Sequence, residues 1–116
     1  MANPIVHFEI MGGKGKDLEK FYSELFSWNI DSNNPQNYGM ITNTPEGTTA
    51  GAVGDGENGT RVTVYASVDD INKTLEQVEK LGGKVVMPRT EIPDTVIMAM
   101  FSDPAGNING LVEGSM

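Results

Sequence analysis

A nine-residue pattern, P-x-G-x-x-x-G-x-V, is written twice in this chain, as "PEGTTAGAV" from Pro45 and as "PAGNINGLV" from Pro104. Repetition constrains a fold more than any single motif, because a duplicated sequence folds as a duplicated structure. The two copies lie 59 residues apart. A second series repeats at 56 residues: "VHFEI" from Val6 aligns with "VTVYA" from Val62, His7 falling on Thr63. The same shift places Tyr22 on Val78, Leu25 on Leu81 and Ile30 on Val86. Two shifts that differ by three residues imply one small length difference in a loop.

Each half carries the same order of elements. A strand over Ile5 to Met11 precedes a helix from about Asp17 to Phe26, whose Leu18, Phe21, Tyr22 and Leu25 form one apolar stripe. A strand over Arg61 to Val68 precedes a second helix, capped by Asp69 or Asp70, striped by Ile71, Leu75 and Val78, and stopped by Gly82. Short strands separated by turn residues follow each helix: "SNNPQN" and "TPEG" in the first half, "RTEIPD" and "DPAG" in the second. Each half therefore reads β-α-β-β-β. The softest stretch, Gly54 to Gly59, is the linker between a first module of about residues 1–54 and a second of about 60–116 in one domain.

This duplicated order resembles the vicinal oxygen chelate superfamily, which includes glyoxalase I, bleomycin-resistance proteins and extradiol dioxygenases. The resemblance rests on "VHFEI" with "FYSELFSW", on "SVDDINKTLEQVEKLGGKVV" and on "FSDPAGNINGLVE", and covers nearly the whole chain. It is nearest to small glyoxalase-like proteins described as lyases. It implies an α+β fold, two tandem βαβββ modules forming a curved eight-stranded sheet around a pocket, with the helices outside.

Strand alternation separates two faces. Val6, Phe8 and Ile10 share one face of the first strand, and Ile5, His7, Glu9 and Met11 the other. In the partner strand Val62, Val64, Ala66 and Val68 share one face, and Arg61, Thr63, Tyr65 and Ser67 the other. The apolar faces belong beneath the helices. The polar faces carry groups that are costly to bury without partners, so they belong in a wet cavity or at a rim. Alternation alone reads them as solvent-facing; the resemblance places them on the concave side. His7, Glu9, Arg61, Thr63 and Tyr65 are accordingly the expected ligand-binding residues.

In metal-dependent members of the superfamily one ligand comes from the first strand and one from the last strand of each module. Carried over by motif, those positions are His7, Thr63, Gly51 and Gly110. Only His7 is a good ligand, whereas a catalytic zinc site wants about three protein ligands. No metal and no cofactor are expected. Glu113 lies three residues after Gly110 and by alternation points to the opposite face. Glu9 shares the face of His7 and is the alternative second donor. A cavity histidine bonded to Glu9 or Tyr65 is the simpler reading of His7. The two glycines either mark a close backbone approach or leave room for ligand.

Of the remaining signals, "GGKGK" from Gly12 lacks the phosphate-loop spacing and reads as a turn. Trp28 reads as core or interface packing. Met98 and Met100 alternate with Ile97, Ala99 and Phe101, one set facing the pocket and the other the core.

Composition bounds the partners. The formal net charge of −8 disfavours a phosphate backbone or an anionic membrane. No cysteine is present, which removes disulfide and thiolate chemistry. The opening residues lack a signal-peptide pattern, and the longest apolar run, Val96 to Phe101, is too short to span a bilayer. A cytoplasmic location is expected. The leading functional expectation is a glyoxalase-like small-molecule-binding protein, metal site lost, assembled as a homodimer. Whether it is an enzyme stays open. A divalent-metal lyase or isomerase with Glu9 as base, and a scaffold with an idle pocket, are the alternatives.

Overall fold

A computed structural model describes residues 2–56 and 59–114. Glu57 and Asn58 of the expected linker lie outside the described residues. Two compact units divide the chain: His7–Val62, and Thr63–Met116 joined by Met1–Val6. The order of elements is β-α-β-β-β twice, an α+β fold. The first series is β1 (Ile5–Met11), α1 (Gly15–Phe26), β2 (Ile30–Asp31), β3 (Gly39–Ile41) and β4 (Ala50–Gly54). The second is β5 (Arg61–Val68), α2 (Ile71–Lys80), β6 (Lys84–Ile92), β7 (Val96–Ser102) and β8 (Ile108–Glu113).

In each series the first and last strands are parallel neighbours, β1 with β4 and β5 with β8. The remaining pairs, β2–β3, β3–β4, β6–β7 and β7–β8, are antiparallel. A parallel pair needs a crossover connection. The helix and two intervening strands supply it, which is why the polar ends of β1 and β5 recur beside the strand that closes each module.

The register corrects one alignment made by motif. Glu9 lies opposite Ala52, and Gly51 lies opposite Phe8. In the second series Tyr65 lies opposite Gly110. Since Glu9 and Tyr65 are equivalent, Ala52 rather than Gly51 is the counterpart of Gly110, a shift of 58 residues. The two turn glycines, Gly47 (φ 83°) and Gly106 (φ 97°), are correctly matched. Gly110 comes four positions after Gly106, and Ala52 five positions after Gly47. The extra residue moves the first-series motif glycine to the other face of its strand.

The helices start differently. Asp70 caps α2, its carboxylate accepting the Lys73 N–H at 3.1 Å. α1 begins at Gly15, two residues before the position read from sequence, and its N-cap Lys14 supplies no side-chain bond. Instead Asp55, just past β4, accepts the Gly15 N–H at 2.6 Å. Glu113, at the end of β8, accepts the Ile71 N–H at 2.9 Å. These carboxylates are also 58 residues apart. Each module thus fastens its helix N-terminus to the end of its last strand, where the exposed N–H groups and helix dipole favour an anion. Gly15 has no room for a side chain, because a Cβ would lie 2.6 Å from the Asp55 carboxylate.

The Thr63–Met116 unit has an apolar core on each side of its sheet. Val68, Ile71, Leu75, Ala99 and Leu111 form the layer beneath α2, with Ile97 and Phe101 against it. Tyr65, Met100 and Val112 form the other layer, joined by Met87, Val96 and Met98. Met98 and Met100 therefore share the Tyr65 side. In the His7–Val62 unit an aromatic stack closes the helix side. Trp28 lies 6.0 Å from Phe8, 5.6 Å from Tyr22 and 5.0 Å from Phe26 between ring centroids. The α1 stripe is only partly used: Phe21 and Leu25 remain more than half exposed, as does Phe26 beside them.

Candidate functional site

β1 turns His7 and Glu9 to one face, and both are buried, at 3 % and 9 % exposure. Burial of two such groups is costly unless they find partners. Tyr38 is the partner. Its hydroxyl donates to Glu9 Oε2 at 2.6 Å and lies 2.6 Å from His7 Nε2. With the phenolic proton directed at Glu9, the tyrosine oxygen accepts from the imidazole, so His7 carries its proton on Nε2. The rings of His7 and Tyr38 also stack, with centroids 6.2 Å apart. Arg61 stands beyond Glu9, its Nη2 3.7 Å from Oε1. His7, Tyr38, Glu9 and Arg61 thus form a chain of donors and acceptors within the His7–Val62 unit.

Burial holds the His7 imidazole below its ordinary pKa, and the nearby Glu9 charge opposes that shift. The neutral form suits its role as donor to a phenol.

Tyr38 is held by its own loop. Asn34 accepts the Tyr38 N–H at 2.9 Å and donates from Nδ2 to the Tyr38 carbonyl at 2.7 Å. The Asn37 N–H bonds the Asn34 carbonyl at 3.0 Å, and Asn37 takes a left-handed conformation (φ 52°) that asparagine tolerates. Sequence reasoning passes over Tyr38, which precedes β3 and has no counterpart in the repeat. The one available signal is "SNNPQNY", a turn whose asparagines can brace the residue that follows.

Beside Tyr38 and Arg61 lies a cavity of about 290 Å³. Its walls include Met11, Gln36, Asn37, Asp55 and the backbone of Gly54, Gly56 and Gly59. The Arg61 side chain is 44 % exposed into this region.

Thr63 and Tyr65 belong to the other unit. Thr63 is fully buried, and its hydroxyl has no hydrogen-bond partner among the described residues. Tyr65 is 4 % exposed and sits among Met100 and Val112. Its ring occupies the space over Gly110, where an added Cβ would fall 2.1 Å from the ring. Gly51 plays the same part for Phe8, whose ring atoms lie 2.5 Å from a Cβ at that position. Both glycines are thus places of close approach for an aromatic ring. Glu113 faces the helix side, as alternation predicts. It accepts Arg89 Nε and Nη2 at 3.0 Å each, besides capping α2. The Arg89 hydrogen bonds hold its carboxyl below the usual range. The last-strand positions facing the same way as Glu9 and Tyr65 are Ala52 and Gly110, which offer a methyl group and a hydrogen.

The model of the Glyoxalase/Bleomycin resistance protein/Dioxygenase superfamily matches residues 5–111. The chain belongs to this superfamily. Relatives include CFP32 of Mycobacterium bovis, whose name marks it as a candidate glyoxylase, 34 % identical over 101 residues. That match covers 80 % of this chain and 39 % of CFP32. The anthracycline biosynthesis protein DnrV of Streptomyces peucetius is 29 % identical over 118 residues, covering 82 % of this chain and 43 % of DnrV. The chain thus spans about two fifths of the length of these relatives. Among solved structures, the hypothetical protein BH1468 of Bacillus halodurans superposes with a TM-score of 0.71 at 14 % identity, covering 100 % of this chain and 97 % of the other. Streptomyces coelicolor methylmalonyl-CoA epimerase superposes with a TM-score of 0.65 at 14 % identity, covering 98 % and 96 %. These likenesses establish the shared superfamily fold. No helix among the described residues is long and apolar enough to cross a membrane.

Proposed function

We propose that this protein is a glyoxalase-like small-molecule-binding protein whose metal site has been lost. The observation that carries this reading is the His7–Tyr38–Glu9–Arg61 chain. The imidazole and the carboxylate that would serve as metal donors are engaged with a phenol, and the carboxylate also with a guanidinium. The other family ligand positions hold Thr63, Ala52 and Gly110, a donor set that does not fit a divalent ion. What remains is a preformed polar surface at a concave cavity, the usual character of a ligand site. His7, Glu9 and Arg61 bind ligand directly or through Tyr38. In the Thr63–Met116 unit, Thr63 and Tyr65 are the proposed ligand-binding groups, the Thr63 hydroxyl, without a partner among the described residues, being a group that gains from a new hydrogen bond.

A second reading is a proton-transferring lyase or isomerase with Glu9 as base. It is favoured by the short Tyr38–Glu9 bond, which sets a proton donor of the cavity wall, Tyr38, against the buried carboxylate behind it. The protein works in the cytoplasm as a homodimer, the exposed Phe21, Leu25 and Phe26 of α1 supplying apolar area for the contact. Nucleic acid and membrane are not partners.

A thermal-shift screen of metabolites and aromatic antibiotics tests the binding reading. At least one compound class raises the melting temperature of the wild type, and His7→Ala weakens that response. A screen in which nothing stabilises the protein, or in which His7→Ala responds like the wild type, overturns it. Untagged protein should carry substoichiometric metal; a stoichiometric divalent ion reverses the reading of the donor set. Light scattering reads the dimer directly.

A further inference from the structure

The cavity beside Tyr38 and Arg61 has a specific chemistry, and the following deepens the binding reading above and rests on it. Four of its polar side chains keep unspent hydrogen-bonding capacity. Arg61 makes one long ion pair, at 3.7 Å to Glu9, and keeps further N–H donors. Gln36 and Asn37 project exposed amides whose side chains take part in no hydrogen bond among the described residues. Asp55 gives Oδ1 to the Gly15 N–H and retains Oδ2 as an acceptor. The loop carrying Asn37 and Tyr38 is also braced, since Asn34 makes three hydrogen bonds to those two residues. Preformed walls lower the ordering cost of binding.

The cavity therefore presents a cation, an anion and two amides to one small volume. A lone anion meets Arg61 but also the charges of Asp55 and Glu9, in a protein of net charge −8. A lone cation meets the Arg61 guanidinium in the same small volume. A molecule with both charges satisfies both ends and feels no net repulsion from the whole protein. The size agrees: about 290 Å³ holds roughly ten water-sized groups, taking about 30 Å³ each. We propose that this cavity binds a small zwitterion of the α-amino acid class, its carboxylate on Arg61, its ammonium on Asp55, and its polar side chain on Gln36 and Asn37.

L-glutamine, N-acetyl-L-glutamine and L-glutaminamide separate the two charged contacts. Titrations followed by NMR of the Arg61 Nε–H and the Gln36 and Asn37 side-chain amides read occupancy. L-glutamine shifts these signals saturably. The acetylated probe, which lacks the cation, and the amide probe, which lacks the anion, each bind at least tenfold more weakly. Arg61→Met lowers affinity for L-glutamine at least tenfold and leaves the weak binding of L-glutaminamide unchanged. Asp55→Asn does the same for the acetylated probe, while its retained oxygen still accepts from Gly15. Equal binding of all three probes, or full affinity in Arg61→Met, overturns the proposal. So does the absence of binding by any of the twenty amino acids below about 10 mM, a weaker limit than millimolar affinity. If other compounds shift the Tyr38 region while amino acids do not, the zwitterion assignment falls and the binding reading stands. If nothing shifts these signals, both fall.

Discussion

Replacing Gly110 by alanine tests what the second glycine of the terminal motif achieves. The φ of Gly110 is not positive, so alanine adds no backbone strain. The cost is steric. The new methyl group would lie 2.1 Å from Cδ2 and 2.2 Å from Cε2 of Tyr65, more than 1 Å inside ordinary contact. The ring has little freedom to withdraw, because it is 4 % exposed and packs with Met100 at 6 % and Val112 at 1 %. Overpacking a tight core costs about 1–3 kcal/mol, and an overlap of this depth belongs at about 3 kcal/mol. For a chain of 116 residues that lowers the melting temperature by about 12 °C, at about 4 °C per kcal/mol. Calorimetry and urea unfolding measure it. In a Tyr65→Ala background the methyl group enters vacated space, so the added cost falls to near zero and the coupling energy is at least about 2 kcal/mol. A neutral single variant, or an equal cost in both backgrounds, refutes the steric argument. If the glycine instead preserved room for ligand, alanine would reduce ligand affinity and leave stability intact.

Three further outcomes follow from the same geometry. Tyr38→Phe removes the hydroxyl that joins His7 to Glu9 and costs about 1–3 kcal/mol by chemical denaturation; an unchanged midpoint refutes the chain. Because the folded pKa of His7 lies below its ordinary 6.5, the folded state favours the neutral imidazole. Its contribution is therefore complete above about pH 6.5 and is lost as pH falls from there through the lowered folded value. His7→Gln flattens the stability profile in that window, and an unaltered slope contradicts the assignment. Glu113 has a folded pKa below 4.5, so its contribution is present above that value and is lost as pH falls through the lowered one. Glu113→Gln keeps an acceptor for the Ile71 N–H and removes this acid-limb dependence, read by acid unfolding followed by circular dichroism.

Much of the architecture is legible because it depends on local periodicity. The α2 stripe of Ile71, Leu75 and Val78 follows helical spacing, and Asp70 caps where a short acceptor precedes a stripe. Alternation correctly turns Glu113 away from the Gly110 side. Alternation fails at Gly51, since matching motifs by sequence assumes equal loops, and one added residue reverses the face of every later side chain. The α1 stripe is misread at Phe21 and Leu25 for a related reason. Periodicity reports apolar character, whereas packing decides which of those positions is covered, and both are more than half exposed. The α1 start is misplaced because its cap, Asp55, lies 40 residues away.

By itself the sequence determined the duplication, the β-α-β-β-β order and the pairing of a polar with an apolar face on β1 and β5. These follow from backbone sterics and from side chains separated by few residues. Only the tertiary structure decided that Tyr38 joins His7 to Glu9, that Ala52 stands where Gly51 was matched, and that aromatic rings occupy the space over the two motif glycines. Those outcomes depend on strand register and on contacts between residues about 30 to 45 positions apart, such as Tyr38 with Glu9 and Gly110 with Tyr65. No local propensity encodes such distances; they are fixed only when buried polar groups find partners and apolar rings exclude each other in space.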